Sequence, residues 1–428
     1  MQYVMCTWRR NNLPNSQTMR RFTMQKKLIA AAVAGLLSVP AFAQSNVTIS
    51  GQLRVGIDHV SAGGATINGT SPISRWRMID NNSNIRFAGT EGLGGGLTAW
   101  WQVESAIGTS DNNGTAGAQG NANITSIGTR NTAVGIKGAW GNVYVGKWDM
   151  HYSTLAGVDG NGLVGGLAMG ASSLNLLHNQ GVAFTAAAAG LNSGAGGRLN
   201  NALMYDSPTW NGFNVRLGYS FSAANESLAN VTAAPGDSAR KESNYWINPQ
   251  YNNGPWHAFY SYMARNNIGN LTSTVAGTVG DPDARFHRAG LAYTFAMGLK
   301  LGLLWDRNSI NDGINGAGLD TTFKRTAWAI PVQYMMGPHT FNFTYARAGD
   351  SSNTPGMDTS AKMYMLGYTY SLSKRTHLGV NWTKINNAAA GTYDLWHPSS
   401  NVSAQATGGM ISPGSDPRQF GVNLHHSF

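Results

Sequence analysis

Apolar and polar residues alternate in many short runs along this chain. Clear examples are residues 214–219, 341–345 and 378–382, where every second residue is aliphatic or aromatic. Because successive side chains of a β-strand point to opposite faces, each run predicts a strand with one apolar face and one polar face. A soluble β-sandwich alternates in the same way. Here, however, Trp and Tyr fall near the predicted strand ends, as in the aromatic girdles of membrane barrels.

The segments between these runs have two lengths. Seven are short and rich in Gly, Pro and Asn, the residues that supply turn geometry; they lie at residues 92–95, 139–142, 207–212, 252–255, 296–298, 336–338 and 371–374. Eight are long and polar; they lie at residues 59–75, 108–124, 149–197, 222–241, 265–284, 307–322, 348–359 and 385–416.

Alternation of short turns with long connections is typical of outer-membrane barrels. Eight long connections and seven short turns delimit sixteen strands. An even number of strands closes the sheet and leaves no edge exposed to lipid. The pattern therefore predicts an all-β fold, a single 16-stranded antiparallel transmembrane β-barrel.

The third long connection, residues 149–197, is much longer than the others. Long connections in a compact domain are usually functional. This one is rich in Gly and Ala, with Leu, Val and Met among them, so it has side chains that can pack against a wall. We expect it to fold into the barrel and narrow the pore; the alternative is a mobile external loop.

The start of the chain has the features of an export signal. Lys26 and Lys27 precede an apolar run at residues 28–39, and an A-x-A site follows at residues 41–43. This pattern predicts a signal peptide, and the run is too short for a membrane anchor. The predicted division is a non-native extension at 1–23, a signal peptide at 24–43 and the β-barrel at 44–428.

Composition narrows the function classes. Charged residues make up 12% of the chain, its mean hydropathy is -0.23, and no apolar segment of helical membrane-span length follows the signal. The formal charge of +10 falls to about +4 without the predicted N-terminal segments, so it does not indicate a nucleic-acid partner. Cys6 is also lost, which excludes disulfides and thiolate metal sites from the mature chain.

Several motifs resemble the general porins of Gram-negative proteobacteria, particularly the β-proteobacterial trimeric type. The similarity extends over the whole predicted mature chain. The motifs are Asn46-Val47-Thr48-Ile49-Ser50-Gly51, the run from Phe87 to Leu97, Val143-Tyr144-Val145-Gly146-Lys147, Tyr205-Asp206-Ser207-Pro208 with Asn211-Gly212-Phe213, Tyr370 to Thr376, and the last strand from Phe420 to Phe428.

The resemblance implies an outer-membrane channel for passive diffusion of small hydrophilic solutes and ions. It implies a homotrimer among outer-membrane lipids, inserted by the barrel-assembly machinery, which recognises the C-terminal strand. Phe428 shares the predicted outward register of Phe420, Val422 and Leu424 and is the candidate assembly signal.

In such porins, basic residues on the wall face acids on the third loop. Lys147 and Arg198 match two of the basic positions of the family. A third basic position is held by Asn84, with Arg86 two residues further along the same face. The loop acids are sparse, since Asp149 and Asp159 are the only acids within residues 149–197. The sequence therefore predicts a weak transverse field across the constriction.

Strand alternation also assigns charges to the pore. Charges on the lipid face cost roughly 2–4 kcal/mol at the membrane midplane, which favours the inward assignment. The predicted pore-lining and constriction residues are Arg54, Arg86, Lys147, Arg198, Arg216, Arg288, Arg325, Glu104 and Asp159; Lys137, Lys300, Asp58 and Asp306 are also assigned inward. Rings of basic residues favour anions, so we expect weak anion selectivity. The alternative is that these charges only hydrate and order the pore water.

Two rival functions remain open. One is an outer-membrane enzyme such as a lipase, for which no Ser-His pair can be named; the other is a substrate-specific channel. The glycine run at residues 92–96 lacks the Lys-Ser/Thr of a phosphate-binding loop. His425 and His426 are adjacent on a strand and point to opposite faces, so they cannot share a metal ion. We expect no enzyme activity, cofactor or metal.

Overall fold

The computed structural model describes residues 47–66, 73–81, 83–109, 127–159, 173–178, 198–221, 243–266, 283–311, 322–352, 354, 356–395 and 411–428. The predicted extension and signal peptide, with the mature start at Gln44, lie outside these residues. Seventeen β segments are present in the described chain: β1 Thr48–Gly63, β2 Ile73–Asp80, β3 Asn84–Gly94, β4 Leu97–Ala106, β5 Thr132–Gly138, β6 Gly141–Asp149, β7 Arg198–Asp206, β8 Phe213–Ser220, β9 Ser243–Asn253, β10 Trp256–Asn266, β11 Asp283–Thr294, β12 Leu299–Asn311, β13 Thr322–Met336, β14 His339–Ala348, β15 Ala361–Ser371, β16 Thr376–Asn387 and β17 Asp416–Ser427.

The segments form one closed antiparallel barrel. Neighbours along the chain pair with each other, and β17 pairs with β1. β2 and β3 pair with successive parts of β1 and so make one strand of the barrel, interrupted at residues 81–83. At the interruption, the Ser83 hydroxyl accepts a hydrogen bond from the Arg54 amide at 2.9 Å. The prediction of sixteen strands is confirmed.

The barrel closes where the last residue meets the first strand. The amides of Gly51 and Phe428 each donate to the carbonyl of the other, both at 3.0 Å. A side chain at Gly51 would clash first with the backbone carbonyl oxygen of Asn84 and then with the Phe428 ring, since a Cβ there lies 2.6 Å from Phe428 Cζ. Glycine therefore leaves the space in which the terminal ring lies.

The turn chemistry follows the predicted pattern. All seven short turns and all eight long connections join the strands that the sequence analysis assigned to them. The turn before β8 shows why: Asn211 and Gly212 have φ of 49° and 89°, and Trp210 and Phe213 exchange backbone hydrogen bonds around them. Two positive φ angles in an Asn-Gly pair describe the hairpin turn that suits twisted strands.

Some boundaries differ from the prediction. The first long connection was predicted at 59–75, but β1 continues to Gly63 and β2 begins at Ile73. The segment between them is therefore shorter than expected. His59 and Ser61 still follow strand alternation, and their polarity made the end of the strand resemble a loop.

Exposure alternates along the strands as the pattern predicts. In β17, Phe420, Val422 and Leu424 are 44%, 45% and 48% exposed, while Gln419 and Asn423, which alternate with them, are buried. Phe428 is exposed on the same apolar face. An apolar outer face and a polar inner face are what a barrel surrounded by lipid requires. The described helical elements are a 3₁₀ turn at His151–Ser153 and one turn at Leu174–Leu177. No helix in the described chain is both long and apolar enough to cross a membrane.

We expect Gly51→Val to destabilise the barrel by about 1–3 kcal/mol, because the added side chain clashes with the Asn84 carbonyl and displaces the Phe428 ring from the seam. The temperature at which the folded band converts to the unfolded band on a gel measures this. Gly92→Val is the matched control, since a Cβ at Gly92 meets no atom within 4 Å. Equal conversion temperatures for both variants would contradict the assignment.

Candidate pore lining

The inner wall near the seam carries a buried ion pair. Arg77 Nε lies 2.8 Å from Asp58 Oδ1, and Arg77 Nη2 donates to Asp58 Oδ2 at 3.0 Å. Gln419 of β17 donates to the same carboxylate at 2.6 Å. This group therefore links β1, β2 and β17 from inside the barrel.

A second inner group surrounds Glu104. Arg130 Nε lies 2.5 Å from Glu104 Oε1, and Arg86 Nη2 lies 3.6 Å from Oε2. The Arg86 side chain is 44% exposed, whereas Arg130 is buried. Arg54 is also buried and lies near Asp80 and Arg130. Arg86 is thus the most accessible cation of this group. Arg54 was predicted to line the pore, but its side chain is buried and does not face open water.

Arg198 lies where β6 and β7 meet the third long connection. Its Nε is 3.1 Å from Asp149 Oδ1 and donates to Asn131 Oδ1 at 2.8 Å. Asn131 in turn donates to Asp149 Oδ2 at 2.8 Å. The predicted basic residue and one of the two predicted loop acids are therefore partners of each other.

Lys147 does not lie on the inner face. β6 alternates with Tyr144 buried inside and Val145 exposed outside, and Lys147 follows the register of Val145. Trp148, on the inner side, packs edge-on against Tyr144, with ring centroids 5.1 Å apart. The structure therefore contradicts a pore-lining role for Lys147; the matched family motif ends in a bulge between Gly146 and Trp148.

Three other predicted cations point inward. Lys137 is exposed on the face of the buried Gly135, and Arg216 is half-buried opposite Asp206 in the register of β7 and β8. Lys300 donates to the Gly157 carbonyl. Asp206 is also 3.3 Å from His151 Nε2.

The described parts of the third connection, residues 150–159 and 173–178, pack on the inner wall. Leu174, Leu176 and Leu177 are buried in one apolar cluster with inward residues of β13–β16. The wall side of that cluster contains Ala327, Ala329, Ala346, Ala348, Met363 and Ile385. Small alanines on two adjacent strands leave room for the three leucines.

A buried charged cluster fastens this connection to the wall. Arg288 Nη1 donates to the Tyr152 carbonyl at 3.0 Å, and Arg288 Nη2 donates to the Leu177 carbonyl at 3.2 Å. Arg325 Nη2 donates to the same Leu177 carbonyl at 3.0 Å. Asp306 forms ion pairs with both arginines, at 2.9 and 3.5 Å, and accepts a hydrogen bond from the Tyr152 hydroxyl.

Arg288 and Arg325 were predicted to line the pore, and this is wrong. Both side chains are 0% exposed. Strand alternation predicted correctly that both side chains point inward, but the third connection covers them. They bind backbone carbonyls of the connection, so their role is structural.

Burial governs the titratable groups of the connection. Burial lowers the pKa of His178 well below its ordinary value, and the charges of Arg288 and Arg325 lower it further. Burial raises the pKa of Tyr152 well above its ordinary value. His178 is thus neutral, and its Nε2 lies 3.0 Å from Arg288 Nη1, the position of an acceptor.

Asp159 joins the two described parts of the connection. It is buried and accepts a hydrogen bond from the Ser173 hydroxyl at 2.6 Å. Its contact with Ser173 makes it a residue that shapes the connection. This is a different role from the accessible constriction acid that the sequence predicted.

Four inner cations were not predicted from the sequence: Arg75, Arg77, Arg130 and Arg265. Arg75 and Arg77 alternate with the exposed Trp76 and Met78, a signal that could have found them. Arg75 was assigned to the connection at 59–75, and Arg77 lies two residues beyond its predicted end. The described residues contain no group of three or more His, Cys, Asp or Glu placed to hold a metal ion.

The comparisons with known proteins agree with this architecture. The family model of the Gram-negative porins matches residues 30–390. An outer membrane porin protein of Bordetella pertussis is 28% identical over 83% of this chain and 92% of its own length. Outer membrane porin protein 32 of Delftia acidovorans is 27% identical over 95% of this chain and all of its own length. The solved anion-selective porin from Comamonas acidovorans aligns with 90% of this chain and all of its own, at a TM-score of 0.65 and 22% identity.

We expect Asp306→Asn to lower the free energy of unfolding by about 3–5 kcal/mol, because it leaves two buried guanidinium groups without a counter-charge. Urea titration of the barrel in detergent measures this. Glu91→Gln, at an exposed carboxylate, is the control and should change stability by less than about 0.5 kcal/mol. Equal losses in the two variants would contradict the role of Asp306.

The depressed pKa of His178 predicts acid sensitivity. An unfolded His takes up a proton near pH 6.5, but the folded site resists it, so stability is full above that pH and falls as the pH drops below it. We expect the wild type to lose more stability than His178→Gln between about pH 7 and about pH 5, since Gln keeps an acceptor for Arg288 without titrating. The same pH dependence in both proteins would contradict this.

Proposed function

Since the chain belongs to the Gram-negative porin family, we propose that this outer-membrane porin passes small hydrophilic solutes and ions by passive diffusion and weakly favours anions. The observation that carries the anion preference is the state of the inner charges. Asp58, Glu104 and Asp306 are buried in ion pairs with arginines. Arg86 and Lys137 keep exposed side chains on the inner face.

The remaining inner acids add little negative charge to the pore. Asp149 is paired with Arg198, and Asp159 is buried against Ser173. Asp206 is 31% exposed and lies opposite Arg216 and beside His151. A lumen whose accessible charges are mainly basic attracts anions, and its low-dielectric walls strengthen the attraction. The name of the Comamonas acidovorans porin states anion selectivity for that protein; the charges of this chain argue for the same preference here.

We further propose that the third connection narrows the lumen. Its described parts occupy space beside the inner faces of β11–β16 and are held by Arg288 and Arg325. Solutes would then pass between this connection and the wall that carries Arg86. An accessible cation would then lie at the narrowest part of the path, where the electrostatic field has most effect on ion selection.

Export and assembly complete the proposal. A signal peptide at 24–43 would be removed, and the barrel would begin at Gln44. Phe428, exposed on the outer face at the seam, would serve the barrel-assembly machinery as the recognised end of the last strand. The family resemblance supports a homotrimer. A substrate-specific channel or a barrel enzyme has no observation in its favour among the described residues.

Reversal potentials in a KCl gradient across a planar bilayer test the selectivity. We expect a modest chloride preference in the wild type, because the exposed inner charges are basic. Removing two of them in Arg86→Gln/Lys137→Gln should move the permeability ratio toward one. Arg347→Gln/Lys362→Gln removes the same charge from the outer face and should leave the ratio unchanged; a cation preference in the wild type would overturn the proposal.

A further inference from the structure

Seven basic side chains run along the outer face of the barrel near the long connections. Each of the seven strands β11–β17 carries one, close to the end that joins a long connection. We refer to them as the basic arc; its members are Arg285, Arg307, Lys324, Arg347, Lys362, Lys384 and Arg418.

The arc residues share the register of the apolar outer residues. Arg307 follows the exposed Leu303 and Trp305 in steps of two, and Arg418 precedes the exposed Phe420 in the same way. The residue beside each of them, such as Asn308 or Gln419, is buried inside. These charges therefore face away from the pore.

Like charges lie directly opposite each other in the arc. Arg347 is the cross-strand partner of Lys362, and Lys384 is the partner of Arg418. Such pairs destabilise a sheet unless something neutralises them. Asp283 lies 3.6 Å from Arg285, and Asp358 is close enough to interact with Arg347. For the other five arc residues, no described carboxylate lies at ion-pair distance.

Aromatic side chains border the arc on the side of the membrane core. Trp328 and Tyr345 have ring centroids 5.3 Å apart, and Tyr345 and Tyr364 are 5.2 Å apart. The complete border is Trp305, Trp328, Tyr345, Tyr364, Trp382 and Phe420. Aromatic girdles mark the interface between hydrocarbon and headgroups, so the arc lies at the level of the lipid phosphates.

The arc occupies one side of the barrel. On β1–β10, the outer positions near the long connections hold residues such as Trp76, Tyr219 and Tyr245, all exposed. Among the described residues of those strands, Lys147 is the outward cation. A general need for charge at the rim would have placed cations all round, so the one-sided distribution points to a specific surface.

We propose that the basic arc binds the phosphate groups of anionic lipids in the membrane leaflet on the side of the long connections. A phosphate between Arg347 and Lys362, or between Lys384 and Arg418, cancels the repulsion of each pair. Arginine can contact a phosphate through two parallel N–H donors, which favours this ligand over a diffuse counterion. The inference rests on the outer-membrane location and does not depend on anion selectivity.

The experiment compares barrels in phosphatidylcholine vesicles with and without phosphatidylglycerol. The test variants are Arg347→Gln/Lys362→Gln and Lys384→Gln/Arg418→Gln. The matched control is Arg86→Gln/Lys137→Gln, which removes the same charge from the inner face. Native mass spectrometry measures the phosphatidylglycerol retained by each barrel, and the thermal conversion of the folded band measures its stabilisation.

We expect phosphatidylglycerol to stabilise the wild type and the inner control equally. Each arc variant should bind it more weakly, by about fivefold per removed cation, the factor that about 1 kcal/mol gives. In phosphatidylcholine alone, the arc variants should be as stable as the wild type or more so, because their repulsion is gone. Inorganic phosphate added to phosphatidylcholine vesicles should not reproduce the stabilisation.

Two results would overturn the inference: a wild type that retains no phosphatidylglycerol, or arc variants that retain as much as the inner control. Conductance and ion preference are measured on the same proteins, and the arc variants should match the wild type in both. A channel without anion preference that still binds phosphatidylglycerol through the arc would refute the selectivity and leave the lipid site standing.

Discussion

The closed ring of backbone hydrogen bonds is the constraint on which the rest of the structure depends. A strand edge in hydrocarbon leaves N–H and C=O groups without partners, at a cost of several kcal/mol each. The chain avoids this by pairing β17 with β1 along their length, as far as the reciprocal bonds of Gly51 and Phe428. Closure gives every strand one face toward the lumen and one toward lipid, and the alternation of apolar and polar residues decides which side chains take which face.

The alternation of strand faces explains how much of the fold could be predicted from the sequence. Strand alternation and turn chemistry are local, so strand number, turns and the inward direction of Arg288 and Arg325 were predictable. Their burial was not, because it depends on the path of a connection more than 100 residues away in the chain. The prediction for Lys147 failed because it rested on the family motif, whereas the alternation of β6 continues through this residue and gives it the outward register of Val145. Arg77 was missed because β2 begins earlier than its polar neighbours indicated.

The inner cations consequently divide into two groups with different physics. Arg288 and Arg325 are desolvated, and both bind carbonyls of the third connection. Asp306 cancels one of their two positive charges, and the third connection separates the remaining one from the water of the pore. Arg86 and Lys137 keep contact with water, and they can act on a passing ion. A count of basic residues therefore overstates selectivity, and exposure after folding is the relevant quantity.

The basic arc follows from the same energetics at a different depth. The expectation that charges face inward rested on their cost at the membrane midplane, but that cost falls to roughly 0–1 kcal/mol near the interface. An outward cation therefore costs little free energy two residues beyond Trp305 or Tyr345, nearer the long connections, and costs more at those two positions themselves. The membrane tolerates cations at that depth. The two like-charged pairs, Arg347 with Lys362 and Lys384 with Arg418, still need an anion to neutralise them. Under the proposal, anionic headgroups at that depth lie between these cations and cancel their repulsion, so the lipid would stabilise the barrel.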